Sequence, residues 1–376
     1  MSFLTTNFNR IIARDCLDQY NTLKKKYKGI PERINGNSAF STLLALMMQK
    51  EITDNNEFEG MVSELTFLIE WAQNGCPIFS LSHNIAAQLL LTEASSVKKQ
   101  FLKFPYDAFL IELPGPDSYI KITSHDNKRL IDVNAIFFCK YKRLNPKMNE
   151  NTVIRGKRAK SMLNLLDTYR MRGTQAAIDV INEFEDDTLA DSYFMKAVNY
   201  QEGIGVFNTS DEPEENQNIE DWIENPKGLN RNETKITDVD ENAISTSIRL
   251  ITNLAIYTTN KNAVNVKEEK LNEYVKVKKG RDSEMVKVIP STRFFLDSDV
   301  KISQELKQSA KDFARRNYSD SDSKRWYISR QETVIGHFKT QRYGKGNTEV
   351  KQIFIAPYMR GKGQLGEAQK TYKVEK

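Results

Sequence analysis

Residues 129–141, RLIDVNAIFFCKY, restrict the fold more than any other stretch of the chain. The run is long, almost wholly apolar and rich in β-branched and aromatic residues, so it reads as a strand buried on both faces. Such a strand belongs inside a covered sheet, and the segments before it supply the cover. Phe8, Ile11, Ile12, Cys16, Leu17, Tyr20 and Leu23 recur at helical spacing, and Lys24–Lys26, Gly29 and Pro31 close that helix. A second helix follows Ser38 with Phe40, Leu43, Leu44 and Met47. A third carries Phe58, Met61, Val62, Leu65, Leu68, Ile69 and Ala72, with Trp71 beside the stripe. Ser82 suits the N-cap of a fourth, whose apolar face is Ile85, Ala86, Leu89 and Leu90. FLKFPYDAFLIELP and SYIKI read as two strands paired across Pro114–Gly115–Pro116.

Downstream, Met162, Leu163, Leu166 and Tyr169, then Ile178 and Ile181, then Leu189, Tyr193, Phe194 and Ala197 read as further helices. Residues 211–241 hold 11 acids against 3 bases, too polar for a core, and read as a surface insertion or linker anchored by Trp222 and Ile223. Ile244, Ile248, Ile251, Leu254 and Ala255 make an amphipathic helix. A Lys-rich, mobile segment follows to about residue 290, and Ile302, Leu306, Ala310 and Phe313 mark a last long helix. The expected class is α+β: N-terminal helices on a small mixed or antiparallel sheet, then a C-terminal helical region ending in an antiparallel hairpin. The expected divisions are 1–150, 151–208, the acidic 209–241 and a C-terminal α+β region 242–376.

Composition excludes several function classes. Phe and Tyr total 34 of 376 residues, which argues for a folded chain despite 28% charged residues. Cys16, Cys76 and Cys139 are widely spaced among apolar neighbours, the pattern of buried free thiols in a reducing compartment, and burial would leave them poor nucleophiles. The N-terminus lacks a continuous apolar signal region and no run of about 18 apolar residues occurs, so the expected location is the cytoplasm, with no membrane partner. His83, His125 and His337 lie at no metal-ligand spacing, and no phosphate-loop, nucleotide-binding or hydrolase motif is present. Neither metal nor cofactor is expected, and no catalytic residue is assigned. The fragment Glu349-x-Lys351 matches part of a metal-nuclease pattern, but cross-strand charge pairing explains it as well.

The candidate site lies near the C-terminus. From Lys324 onward 12 bases face 4 acids. Within that segment, RQETVIGHFKTQRYGKGNTEVKQIFIAPYMRG reads as a hairpin around Gly344–Lys345–Gly346–Asn347. Arg and Tyr interleaved with glycines suit carboxylates, phosphates or backbone carbonyls, so Gly336, His337, Phe338, Arg342, Tyr343, Lys351, Phe354 and Tyr358 are the expected partner-binding residues. They are expected to share one cationic, ring-bearing concavity. The same basic segment also fits direct RNA or DNA binding, which remains an open alternative.

The spacing of GHFKTQRYGKGNTEVKQIFIAPYMRG resembles the C-terminal signature of a phage and mobile-element family that includes a type V-A anti-CRISPR protein. Trp71, PYDAFLIELPG and the helix ISTSIRLITNLAIYTTNKNAV are similar to earlier parts of the pattern. Phe338 and Phe354 stand where that family commonly has Trp, and the acidic insertion from Asp211 departs from it. The resemblance implies an anti-defence protein of the bacterial cytoplasm that recognises the nascent N-terminal peptide of a CRISPR effector, with the translating ribosome as setting. It implies decay of the effector mRNA by host enzymes.

Overall fold

The computed structural model describes residues 2–360 apart from 49–54, 115–118, 125–128, 145–152, 159–161, 184–188, 214–218, 225–236, 260–264, 298–303, 315–331, 345–348 and some isolated positions. Three helices begin the chain: α1 (Ser2–Lys26), α2 (Ser38–Met48) and α3 (Asn55–Gln73). Strand β1 (Ile78–Leu81), helix α4 (His83–Leu90) and the short β2 (Thr92–Glu93) follow, then β3 (Ala108–Glu112), β4 (Lys121–Thr123), β5 (Leu130–Asp132) and β6 (Ala135–Leu144). Next come β7 (Val153–Ile154), β8 (Lys157–Arg158), α5 (Met162–Arg172), α6 (Thr174–Asn182), β9 (Leu189–Asn199) and β10 (Ile204–Asp211). The second half runs α7 (Ile219–Glu224), α8 (Asp238–Thr259), β11 (Asn265–Leu271), β12 (Tyr274–Lys279), β13 (Asp282–Lys287), β14 (Ser291–Asp297) and α9 (Gln304–Ala314). It ends with β15 (Glu332–Val334), β16 (Gly336–Tyr343), β17 (Glu349–Ile355) and β18 (Tyr358–Arg360).

The class is α+β, as the sequence indicates, but the sheet is larger than expected. Seven strands run in the order β10-β9-β6-β3-β1-β14-β11. β1 is parallel to both β3 and β14, and the remaining neighbours are antiparallel. Strands from 78–144, 189–211 and 265–297 thus join one sheet.

The doubly buried run explains the layering. In β6, Ile136 and Phe138 face one core while Ala135, Phe137, Cys139 and Tyr141 face the other, an alternation that only a sheet with two covers can bury. Apolar residues of α1, α2, α3, α5 and α6 fill the second core, and those of α4, α7, α8 and α9 fill the first. Phe67 stacks on Phe137 with centroids 4.5 Å apart, and the indole of Trp71 donates to the Pro77 carbonyl at 2.9 Å, so Trp71 is a buried structural residue.

Four expectations need correction. Residues 189–199, read as helix, form β9: Tyr193, Met195 and Ala197 enter one core and Phe194 and Val198 the other. Leu189, Tyr193 and Ala197 recur every four residues, a spacing that fits a period of 2 as well as one of 3.6. The strands of FLKFPYDAFLIELP and SYIKI do not pair with each other; β3 lies between β1 and β6, while β4 pairs with β5. The run 129–141 splits into β5 and β6, since the amide of Val133 turns to the carbonyl of Ile120 at 2.9 Å. The Lys-rich segment before residue 290 is ordered as β11 and the β12–β13 ribbon.

Buried Arg10 of α1 fastens that ribbon, donating to Asn272 O at 2.7 Å and Ile289 O at 2.6 Å, one carbonyl on each side of its stem. Part of the acidic segment also folds, because Trp222 and Ile223 are buried in α7 and Trp222 meets Tyr193 edge-on at 5.7 Å.

Candidate functional site

The C-terminal hairpin carries the candidate site, and its position follows from one glycine and two rings. β16 runs parallel to β2 with Gly336 opposite Thr92 and His337 opposite Glu93, and the Gly336 amide donates to Leu91 O at 3.0 Å. A Cβ on residue 336 would lie 2.6 Å from Thr92 Oγ1 and 2.7 Å from Pro357 Cδ, so this approach requires glycine. Phe338 is 1% exposed, its ring 5.5 Å from that of Phe354, and Phe354 meets Tyr257 of α8 edge-on at 5.1 Å. Gly336, Phe338 and the half-buried Phe354 therefore fasten the hairpin to the body. At that base the Phe338 ring is covered, unlike the exposed groups farther along the ribbon.

Beyond Phe338 the ribbon leaves the body, and Lys339, Thr340, Gln341, Arg342 and Tyr343 are exposed. Antiparallel pairing with β17 sets Arg342 opposite Val350, Gln341 opposite Lys351 and Tyr343 opposite Glu349. Alternation places His337 and Tyr343 on one face, roughly 20 Å apart along the strand, and Arg342 on the other. β16 alone thus does not gather these three residues into a shared concavity; it presents them on two faces of a projecting arm. Tyr358, on β18 opposite Val334, is likewise exposed. The turn residues 345–348 lie outside the described residues.

At the tip the Tyr343 hydroxyl donates to the Glu349 carboxylate, and this bond together with the carboxylate's charge raises the phenol pKa. Glu349, half of the nuclease-like fragment, is thereby committed to the hairpin end. Among the described residues no group of three or more His, Cys, Asp or Glu side chains is arranged to hold a metal ion.

Other candidates resolve as structural. Ser82 caps α4, its Oγ accepting from the Ile85 amide at 3.2 Å, and His83 lies edge-on to Tyr119. His125 lies outside the described residues. All three cysteines are free and buried; burial pushes the Cys16 thiol up to about 11 and also raises those of Cys76 and Cys139. Sequence reasoning missed a buried charge cluster at the carboxyl ends of β1 and β3. There Glu112 accepts from Arg293 at 3.1 Å and from the Ser80 hydroxyl, and Arg293 approaches Glu269 at 3.6 Å. The signal was the isolated Glu at the end of the apolar AFLIE and the Arg within STRFFLD. Among the described residues no helix is long and apolar enough to cross a membrane.

Residues 79–361 match the model of the AcrVA2-like family, described as the anti-CRISPR type V subtype A2 family. Three solved chains match. One, described as the crystal structure of AcrVA2, shares 10% identity with a TM-score of 0.46, over 95% of this chain and 98% of that chain. No curated protein matches the chain.

Proposed function

The chain belongs to the anti-CRISPR type V subtype A2 family and has an anti-defence role, and from that premise we propose that it binds the nascent polypeptide of a type V CRISPR effector and thereby lowers the effector's mRNA. The observation that supports this reading is the projecting hairpin, rigidly based on Gly336, Phe338 and Phe354 yet exposed at Lys339, Arg342 and Tyr343. A buried base holds the arm in one orientation, so exposed groups at its end lose little further entropy on binding. Arg342 offers a planar fork to carboxylates or peptide carbonyls, and Tyr343 and Tyr358 offer amphipathic rings of the kind that dominate binding energy at interfaces. His337 and Lys351 extend the set along the ribbon. Messenger decay is assigned to host enzymes.

A second reading, direct RNA binding by the same arm, draws on the 12 bases against 4 acids from Lys324 onward. Phosphate contacts would make its affinity fall steeply with salt. One experiment separates the two. Effector transcripts are recoded so that either the peptide or the nucleotide sequence changes while the other is kept, and their levels are measured with and without this protein. Loss that follows the encoded peptide, and that is abolished by Arg342→Ala with Tyr343→Ala, supports the nascent-chain reading. Loss that follows the nucleotide sequence overturns it in favour of RNA, and loss of neither transcript overturns both.

A further inference from the structure

The seven-stranded sheet has two edges, and they are built differently. β11 carries Lys267, Glu268, Glu269 and Lys270 in succession, the charged guard that keeps an edge strand from pairing with another chain. β10, Ile-Gly-Val-Phe-Asn-Thr-Ser-Asp, holds no Lys, Arg or Pro and no charge before Asp211. Among the described residues no strand pairs with its outer side, so alternate backbone N–H and C=O groups face outward along it.

Two side chains on this strand are also incompletely used. Phe207 is 37% exposed on the face toward Phe194. Asn208, on the opposite face beside Met195, is 4% exposed, and its Nδ2 donates to no partner among the described residues. An added strand would set one residue directly beside each, an apolar one against Phe207 and an acceptor against Asn208.

Charge selects the occupant. From Asp211 to Glu224 the sequence has seven acids and no base. α7 is held beside β9 by the contact of Trp222 with Tyr193, which lies opposite Ser210 in the register. Two copies of this chain pairing edge to edge would bring their acidic segments into mutual repulsion, whereas an extended segment bearing basic residues is attracted. We infer that the outer edge of β10 is a strand-addition site that takes an extended, basic segment of a target polypeptide, with main-chain hydrogen bonds supplying affinity, Phe207 and Asn208 supplying selectivity, and the acidic run that continues from the end of β10 favouring a basic partner. The inference rests on the polypeptide-recognition reading and locates a second contact for it, apart from the hairpin.

The test uses the full chain and overlapping synthetic peptides covering the N-terminal region of a type V effector. Amide hydrogen exchange is followed across residues 204–211 with and without peptide, and affinities are compared for the wild type and Phe207→Lys. Exchange in β10 should slow on binding, and the lysine should weaken binding about tenfold or more. If the wild type binds and β10 exchange is unchanged, the edge assignment fails while polypeptide recognition stands; the exchange readout needs no variant, so misfolding of Phe207→Lys cannot obscure it. If the wild type binds no peptide, both fall. If β10 is already protected in a concentration-dependent dimer seen by sedimentation, the edge belongs to a second copy and the inference is overturned.

Discussion

The two ends of the C-terminal hairpin are made of the same two strands but do opposite work. At the base, Gly336 lies against β2, and Phe338 is buried beside Phe354, whose ring meets Tyr257 of α8; at the tip, Arg342 and Tyr343 are exposed to solvent. Aromatic and basic residues interleaved along one ribbon are therefore not one site. The body decides which of them are anchors and which remain available, and a composition that looks uniform in sequence divides sharply once one end is buried.

Phe338→Ala is expected to test this division most severely. Removing a buried ring next to Phe354 should cost about 3–5 kcal/mol, read as a lowered midpoint in urea unfolding. A change within about 0.5 kcal/mol would mean that the base is not anchored. Gly336→Ala comes next, because its Cβ meets Thr92 and Pro357 at contact distances no real Cβ adopts; a loss of roughly 1–3 kcal/mol is expected, with the greatest loss of amide protection in β2 and β16. Arg342→Ala should leave stability within about 0.5 kcal/mol, as exposed sites away from caps and cores do, while weakening capture of the effector polypeptide.

The smallest effect is titrational. Tyr343 has a raised pKa in the folded chain, so its bond to Glu349 contributes below the ordinary phenol range and is lost as the hydroxyl ionises at higher pH; spectrophotometric titration of Tyr343→Phe should lack that late-ionising phenol. At the opposite extreme of burial, the Cys16 thiol is pushed up to about 11 from the ordinary 9.0 of an exposed thiol, because burial disfavours the thiolate. Its neutral form stabilises the fold fully below pH 9, and that contribution disappears as pH rises through 11. Thiol reagents at neutral pH should therefore label Cys16 only after denaturant is added, and labelling of the native chain would contradict its burial.

Much of the architecture was legible because local signals agreed with global ones. The helix stripes of α1 to α4, the Ser82 cap, the buried strand β6 and the anchor Trp222 each carry a period or cap that no tertiary context contradicts. β9 was read as helix because Leu189, Tyr193 and Ala197 recur every four residues, a spacing that a period of 3.6 and a period of 2 both satisfy. β11 to β13 were read as a mobile tract because Lys-rich strands look like linker; what orders them is remote, with Arg10 bonding the carbonyls of Asn272 and Ile289. For the candidate site, the hairpin was legible, whereas its register and the separation of Phe338 from Arg342 were not.

By itself the sequence determined that this chain makes amphipathic helices, one doubly buried strand and a basic C-terminal hairpin, and its pattern carried the family resemblance. Periodicity and turn chemistry act between residues close along the chain, so they survive without knowledge of the partner elements. Only the tertiary structure decided that three distant segments join one sheet, that one of its edges is guarded by charge and the other is not, and that half of a uniform-looking ribbon is core. Those outcomes depend on which surfaces exclude water together, and burial is a property of neighbours brought from far along the chain.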